Sequence, residues 1–108
     1  MTIREAALET LDADPAIHQA FAKTSNGDRS ILRLLLDSEN GVANTNTGSP
    51  NYALFARFVQ HGWMTEERSA INDQVPNLPE AFVELTLTEN GRRAIPVILP
   101  ILFAEKRT

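Results

Sequence analysis

The chain has 108 residues, of which 43% are hydrophobic and 22% are charged, an ordinary balance for one globular domain. It contains no cysteine, which excludes disulfide bridges, thiolate metal sites and cysteine nucleophiles. The formal net charge of −4 argues against a protein that binds nucleic acid mainly by neutralising phosphates. We therefore expect a single domain over residues 1–108.

The terminal segments carry no targeting or membrane pattern. No basic region followed by an apolar run opens the chain, so we expect no secretory signal. The longest nearly continuous apolar stretch, residues 95–104, is about half of what a bilayer crossing needs. We expect a soluble, cytoplasmic protein without a membrane partner.

Capping signals mark the first two helices. Thr2 and Glu5 have the spacing of a capping box, in which each side chain bonds the other residue's free backbone N–H. Asp14 followed by Pro15 places a preferred N-cap residue before a proline at the first helical position. The Ser-Asn-Gly sequence at 25–27 predicts the end of the second helix.

The third helix is predicted to begin at Asp28 or Arg29. It is expected to end at Asn40 and Gly41, since glycine suits a left-handed cap. Five of its residues between 31 and 36 are aliphatic, namely Ile31, Leu32, Leu34, Leu35 and Leu36. Because this composition leaves little polar face, we expect the helix to lie at the centre of the core.

A polar loop and a fourth helix are predicted next. Residues 44–49, Asn-Thr-Asn-Thr-Gly-Ser, are uncharged and have the composition of a loop. Ser49 is the expected N-cap of the following helix, and Pro50 is its expected first residue. Gly62 predicts the end of this helix, and residues 63–65 predict a short strand.

The C-terminal half predicts a hairpin followed by an apolar tail. Residues 66–81 are expected to form an arm or hairpin tip, with 68–71 as the outgoing strand. Aliphatic and polar residues alternate over residues 82–88, the period-two pattern of a half-buried strand. Thr88 is the expected cap of a short helical turn, and Pro100 is expected to kink or delay any helix in the tail.

Two segments resemble winged-helix proteins. Residues 54–64, Leu-Phe-Ala-Arg-Phe-Val-Gln-His-Gly-Trp-Met, resemble a recognition helix that closes on glycine before the wing. Residues 84–95 resemble the sequence x-L-T-x-x-G-x-x-A-[LI] that follows the wing in MarR-like and PadR-like regulators. This resemblance covers residues 49–65 and 82–95, and it implies an α+β, mainly helical winged-helix-like domain with a small β-hairpin wing. The short helix that such folds place before the recognition helix has no counterpart in residues 41–48.

The resemblance implies a small DNA-binding protein, a transcriptional regulator whose fourth helix enters the major groove. The candidates for contacts with phosphates and bases of double-stranded DNA are Asn44, Asn46, Ser49, Asn51, Tyr52, Arg57 and Arg68. These residues have a second interpretation, since Asn, Thr and Ser also build solvated loops and helix caps. The alternative function is a non-enzymatic protein-interaction module of winged-helix fold that does not bind DNA. Such a module would be an adaptor, or a phage or mobile-element factor that binds a host protein, and the acidic charge favours it.

The apolar tail over residues 95–108 has two interpretations. It folds back over the domain's own core, or it packs against the same tail of a second chain. MarR-like and PadR-like regulators dimerise through terminal helices, so the resemblance implies a homodimer. Its expected interface consists of Ile98, Leu99, Ile101, Leu102 and Phe103.

No residue pattern in the chain predicts catalysis. His18 and His61 stand alone, whereas a metal site needs several ligands at matched spacing. Neighbouring carboxylates such as Glu66 and Glu67 lie at predicted turns or helix ends, where solvated capping is expected. No serine lies in a nucleophile elbow and no glycine-rich loop matches a phosphate cradle. We expect no enzymatic activity, no cofactor and no metal.

Overall fold

The computed structural model describes residues 2–75, 77 and 80–106. These residues form six helices and three strands, which confirms the predicted α+β class with many helices and a small sheet. In chain order the elements are α1 Ile3–Ala13, α2 Pro15–Ala22, α3 Asn26–Asp37, β1 Val42–Asn46, α4 Tyr52–Gln60, β2 Met64–Arg68, α5 Ile71–Gln74, β3 Phe82–Leu87 and α6 Glu89–Lys106.

Capping side chains begin α1 and α2 where the sequence predicts them. The Thr2 hydroxyl accepts the backbone N–H of Glu5 at 3.1 Å, and the Asp14 carboxylate accepts a backbone N–H of α2 at 3.2 Å. The helix α3 begins at Asn26, two or three residues before the predicted start. Ser25, which was expected to help end α2, is the N-cap of α3 and forms a reciprocal capping box with Asp28.

The predicted polar loop at 44–49 is wrong over its first half, which belongs to strand β1. This strand pairs antiparallel with β3, and such non-local pairing overrides the weak strand propensity of asparagine. The rest of the loop is a turn, in which the N–H of Ser49 donates to the Asn46 carbonyl at 2.9 Å. As a result, α4 begins at Tyr52 rather than at Pro50.

The sheet has the strand order β1-β3-β2, so β3 is central and the other two strands are edges. Residues directly opposite each other in an antiparallel pair share a face, and Ala43 and Glu66 both lie opposite Leu85. The inner face therefore contains Leu85, which is fully buried. The outer face contains Glu84, which is exposed.

The segment after β2 is a helical turn, so the predicted outgoing strand at 68–71 is wrong. The strand ends at Arg68, and α5 follows. The side chain of Asn72, buried in α5, accepts the N–H of Phe82 at 2.9 Å and donates to its carbonyl at 2.5 Å. The Asn72 side chain therefore makes two hydrogen bonds to the start of β3. In a continued strand, backbone groups would have made them.

Thr88 caps α6 as predicted, but the helix is much longer than a turn. The Thr88 hydroxyl accepts the N–H of Gly91 at 3.0 Å and donates to the Gly62 carbonyl at 2.6 Å. A Cβ atom at Gly91 would lie 1.9 Å from the carbonyl oxygen of Trp63, so this close approach requires glycine. Pro100 does not delay the helix, which continues to Lys106.

The expectation that α3 lies at the centre of the core is wrong for one of its sides. Leu32 and Leu35 are buried, whereas Ile31 and Leu34 are 40% and 69% exposed. Five aliphatic residues in six positions extend beyond one side of a helix, because successive residues are about 100° apart. The surplus aliphatic side chains of α3 therefore face solvent.

Candidate functional site

Asn51, predicted to contact nucleic acid, is a buried structural residue. It is 5% exposed. Its side-chain oxygen accepts the Thr45 hydroxyl at 2.6 Å, and its amide donates to the Asp28 carboxylate at 3.2 Å. A base contact would need this amide at the surface, whereas here it joins the start of α4 to β1 and α3.

Arg57, predicted to reach the DNA backbone, belongs to an ion pair. Its Nε and Nη2 atoms donate to Oδ2 of Asp14 at 2.9 and 2.7 Å, and Nε2 of His61 lies 2.7 Å from the same oxygen. Burial raises the pKa of Asp14, but the hydrogen bonds from His61 and Arg57 outweigh burial and hold the pKa below its ordinary value. We name these three residues the Asp14 cluster, which joins α2 to α4.

The other predicted contact residues are scattered. The Tyr52 hydroxyl hydrogen-bonds Glu66, and this bond, burial and the glutamate charge raise the pKa of the tyrosine. The side chain of Asn46 accepts the N–H of Gly48 at 2.8 Å within the turn, where Ser49 is half-buried. Of the seven predicted residues, Asn44 and Arg68 are the ones that are exposed.

The outer face of the sheet is acidic where a DNA-binding hairpin would need positive charge. Glu84 of β3 lies directly opposite Glu67 of β2 and, on its other side, opposite Asn44 of β1. Both glutamates are exposed. Carboxylates in this position oppose the approach of phosphates.

The apolar tail follows the first of its two interpretations, because α6 packs on α1 and α2 of the same chain. Ile98, Leu99 and Leu102 are 0%, 7% and 1% exposed. Ile101 and Phe103 are partly buried against the same core. Of these five predicted interface residues, only Ile101 and Phe103 could contact a second chain without unfolding of α6. None of the helices in the described residues has the length and apolarity that a bilayer crossing requires.

An open apolar surface lies where α3 meets β1. Ile31, Leu34 and Val42 are 40%, 69% and 44% exposed. They surround a depression of about 410 Å³ that is also lined by Leu35, Ser38 and Ala43. We name Ile31, Leu34, Val42 and Ala43 the α3–β1 surface. The exposed aliphatic groups beside this depression offer apolar contact to a partner.

The backbone of β1 adds polar groups to this surface that pair with none of the described residues. The Gly41 carbonyl accepts an N–H of β3 at 2.8 Å, and the N–H of Thr47 donates to the carbonyl of residue 81 at 2.9 Å. Hydrogen-bonded and non-hydrogen-bonded positions alternate along an antiparallel ladder, so the odd-numbered residues between them also point to β3. The N–H and C=O groups of Val42 and Asn44 therefore point away from the sheet, toward the open edge.

A larger depression, of about 480 Å³, lies between α3 and α6. Arg33 is the charged residue in its lining, and its guanidinium stacks over the Phe103 ring at 5.1 Å from the ring centroid. The rest of the lining consists of Leu36, Pro96, Leu99, Pro100, Phe103 and Ala104. This depression offers apolar contact and one cation, without an acid–base pair or a nucleophile in its lining.

Ile31 and Leu34 were not among the predicted site residues, although a signal for them was present in the sequence. The aliphatic residues between 31 and 36 exceed what one side of a helix can bury. The edge position of β1 had no such signal, because it depends on pairing with a strand about 40 residues away.

Comparison of the chain with protein-family models, with characterised proteins and with solved structures finds no match.

Proposed function

We propose that this chain is a non-enzymatic protein-interaction module that binds another polypeptide through the α3–β1 surface. The observation that carries the proposal is the coincidence of exposed aliphatic side chains with an uncharged, unpaired strand edge. Removing Ile31 and Leu34 from water is favourable, and an added strand would satisfy the outward backbone groups. The two contributions act at one place and favour the same kind of ligand.

The expected ligand chemistry is an extended segment with alternating apolar residues. Its backbone would pair with Val42 and Asn44, and every second side chain would enter the depression beside Ile31 and Leu34. In such complexes the backbone bonds supply affinity and the depression supplies specificity.

A winged-helix-like DNA-binding regulator is the second candidate, and α4 ending before Gly62 ahead of the β2–β3 hairpin favours it. The charge distribution ranks it below protein binding. Arg57 is held by Asp14, and Glu67 and Glu84 cover the outer face of the hairpin. The net charge of −4 adds to this, because phosphate contacts supply most non-specific affinity for DNA.

The binding proposal is tested by selection from a phage-displayed library of random peptides. The chain is immobilised sparsely, so that two copies cannot meet. We expect enrichment of extended peptides with alternating apolar residues on the wild type, and loss of that enrichment on Leu34→Asp. The matched control is Ile71→Asp, which changes another exposed aliphatic residue (44%) outside this surface. Absence of enrichment, or enrichment that Leu34→Asp leaves intact, contradicts the proposal.

The ranking of the two functions is tested by mobility shift with random duplex DNA and genomic fragments at low salt. We expect no shift with the wild type, because low salt strengthens only electrostatic contacts that the hairpin face lacks. A shift that Arg68→Ala weakens would reverse the ranking.

A further inference from the structure

We infer that the polypeptide bound at the α3–β1 surface is a second copy of this chain, joined by antiparallel pairing of the two β1 edges. The inference rests on the proposed function, since it names the partner of the same surface. The pattern of backbone groups and side chains along β1 makes the edge complementary to itself in hydrogen bonding, charge and shape.

The free hydrogen-bonding groups of β1 match one another. The outward groups of Val42 and Asn44 are open, whereas the carbonyl of Asn46 already accepts the N–H of Ser49 at 2.9 Å. In an antiparallel pair centred on Ala43, Val42 of each copy faces Asn44 of the other. Each of these two facing pairs exchanges two hydrogen bonds, so four bonds form and use the open groups of both copies.

The side chains at the axis allow this close approach. Ala43 would face Ala43 of the second copy at a non-hydrogen-bonded position, where the two backbones are closest. A two-fold axis perpendicular to the sheet keeps both inner faces on the same side. The two α3 helices then flank the axis, and Ile31 and Leu34 of each copy are covered by the same residues of the other.

The five residues of β1 themselves include none that opposes pairing. The β1 sequence, Val-Ala-Asn-Thr-Asn, has no charged residue and no proline, the features that block edges in other sheets. The nearest acid along the outer face, Glu84, is one strand removed from the edge. Residual repulsion between two chains of charge −4 is screened by salt, so added salt should strengthen the dimer.

The inference is tested on the full chain by sedimentation equilibrium together with amide hydrogen exchange. We expect the wild type to form a dimer, and the amides of Val42 and Asn44 to become protected as concentration rises. Asn44→Pro removes an outward N–H that the monomer does not use, so this variant should stay folded and monomeric. The matched control is Arg68→Pro, which removes an outward N–H on the β2 edge and should leave the dimer intact.

A second variant keeps the test decisive if Asn44→Pro folds poorly. Leu34→Asp changes a side chain that is 69% exposed, and it should also give a folded monomer, while Ile71→Asp remains dimeric. A wild type that is monomeric up to about 1 mM overturns the inference. A dimer that both Asn44→Pro and Leu34→Asp leave intact overturns it as well, and points to the Ile101 and Phe103 side instead.

The outcomes separate this inference from the function on which it rests. A chain that stays monomeric but selects peptides through Leu34 overturns the second copy and leaves the protein-interaction module standing. A chain that neither dimerises nor selects peptides overturns both.

Discussion

The two edges of the small sheet differ in their charge and in the side chains that lie beside them. β2 has the sequence Met-Thr-Glu-Glu-Arg, and the Tyr52 hydroxyl hydrogen-bonds its Glu66. β1 carries no charge and lies beside the exposed Ile31 and Leu34. Because charged residues are a common way to block an edge, β2 is protected against pairing and β1 is open to it.

The position of Glu66 shows how this protection works. It lies opposite Leu85, so it belongs to the inner-face register although it is exposed at the edge. A strand added beside β2 would have to bury this charge, at a cost that a backbone ladder does not offset. A strand added beside β1 meets Ala43 at the equivalent place. One sheet therefore has one closed and one open edge.

The apolar surface beside the open edge depends on the division of α3 into a buried and an exposed side, and this division gives the largest expected effect. Leu35→Ala should lower the free energy of unfolding by about 3 kcal/mol, because Leu35 is 3% exposed and its removal leaves a cavity. Leu34→Ala should change it by at most about 0.5 kcal/mol. Urea denaturation of dilute protein measures both. Equal losses would mean that Leu34 is packed within the monomer.

The next largest effect on the free energy of unfolding comes from the direction in which each backbone N–H of β1 points. Ala43→Pro removes an N–H that points to β3 and should cost about 2 kcal/mol of unfolding free energy. Asn44→Pro removes one that points to solvent and should cost less than about 1 kcal/mol in dilute solution. Thermal unfolding followed by circular dichroism compares them. The reverse order would show that the ladder register is shifted by one residue.

The Asp14 cluster fixes the C-terminal end of α4, and β2 follows α4 directly in the chain. The cluster therefore stabilises the β2 side of the sheet. Asp14→Asn keeps an N-cap side chain but loses the charged acceptor, which should cost about 1.5 kcal/mol at neutral pH. The matched control, Asp12→Asn, changes an exposed carboxylate and should have little effect.

The same cluster makes stability depend on pH. Because folding lowers the pKa of Asp14, its contribution is present above the ordinary value of 3.8 and is lost as pH falls through the folded pKa. Chemical denaturation across acidic pH should therefore show a steeper loss for the wild type than for Asp14→Asn. Parallel pH profiles would contradict the role assigned to this carboxylate.

The smallest effect concerns the protection of the β2 edge. Tyr52 is the chain's single tyrosine, so an absorbance titration reports it alone. Glu66→Gln removes the charge that raises its pKa, and the titration should move toward lower pH with little change in unfolding free energy. Glu67→Gln, on the outer face, serves as the control and should leave the titration close to that of the wild type.

Much of the local structure follows from short-range patterns. The N-caps at Thr2, Asp14 and Thr88 and the alternation in β3 were predicted correctly, because each depends on residues within a few positions of one another. The candidate site was not predicted. Its only sequence signal was the surplus of aliphatic residues in α3, which indicated burial until the tertiary structure placed Leu34 at the surface.

The sequence by itself determined where α1, α2 and α6 begin, that β3 is half-buried, and that the chain is acidic. Only the tertiary structure decided the roles of polar residues around β1 and α4. Asn51 is buried because it meets Asp28, 23 positions away, and Arg57 is held by Asp14, 43 positions away. A side chain's partner over such separations depends on how whole elements pack, and the same packing leaves one edge of the sheet open.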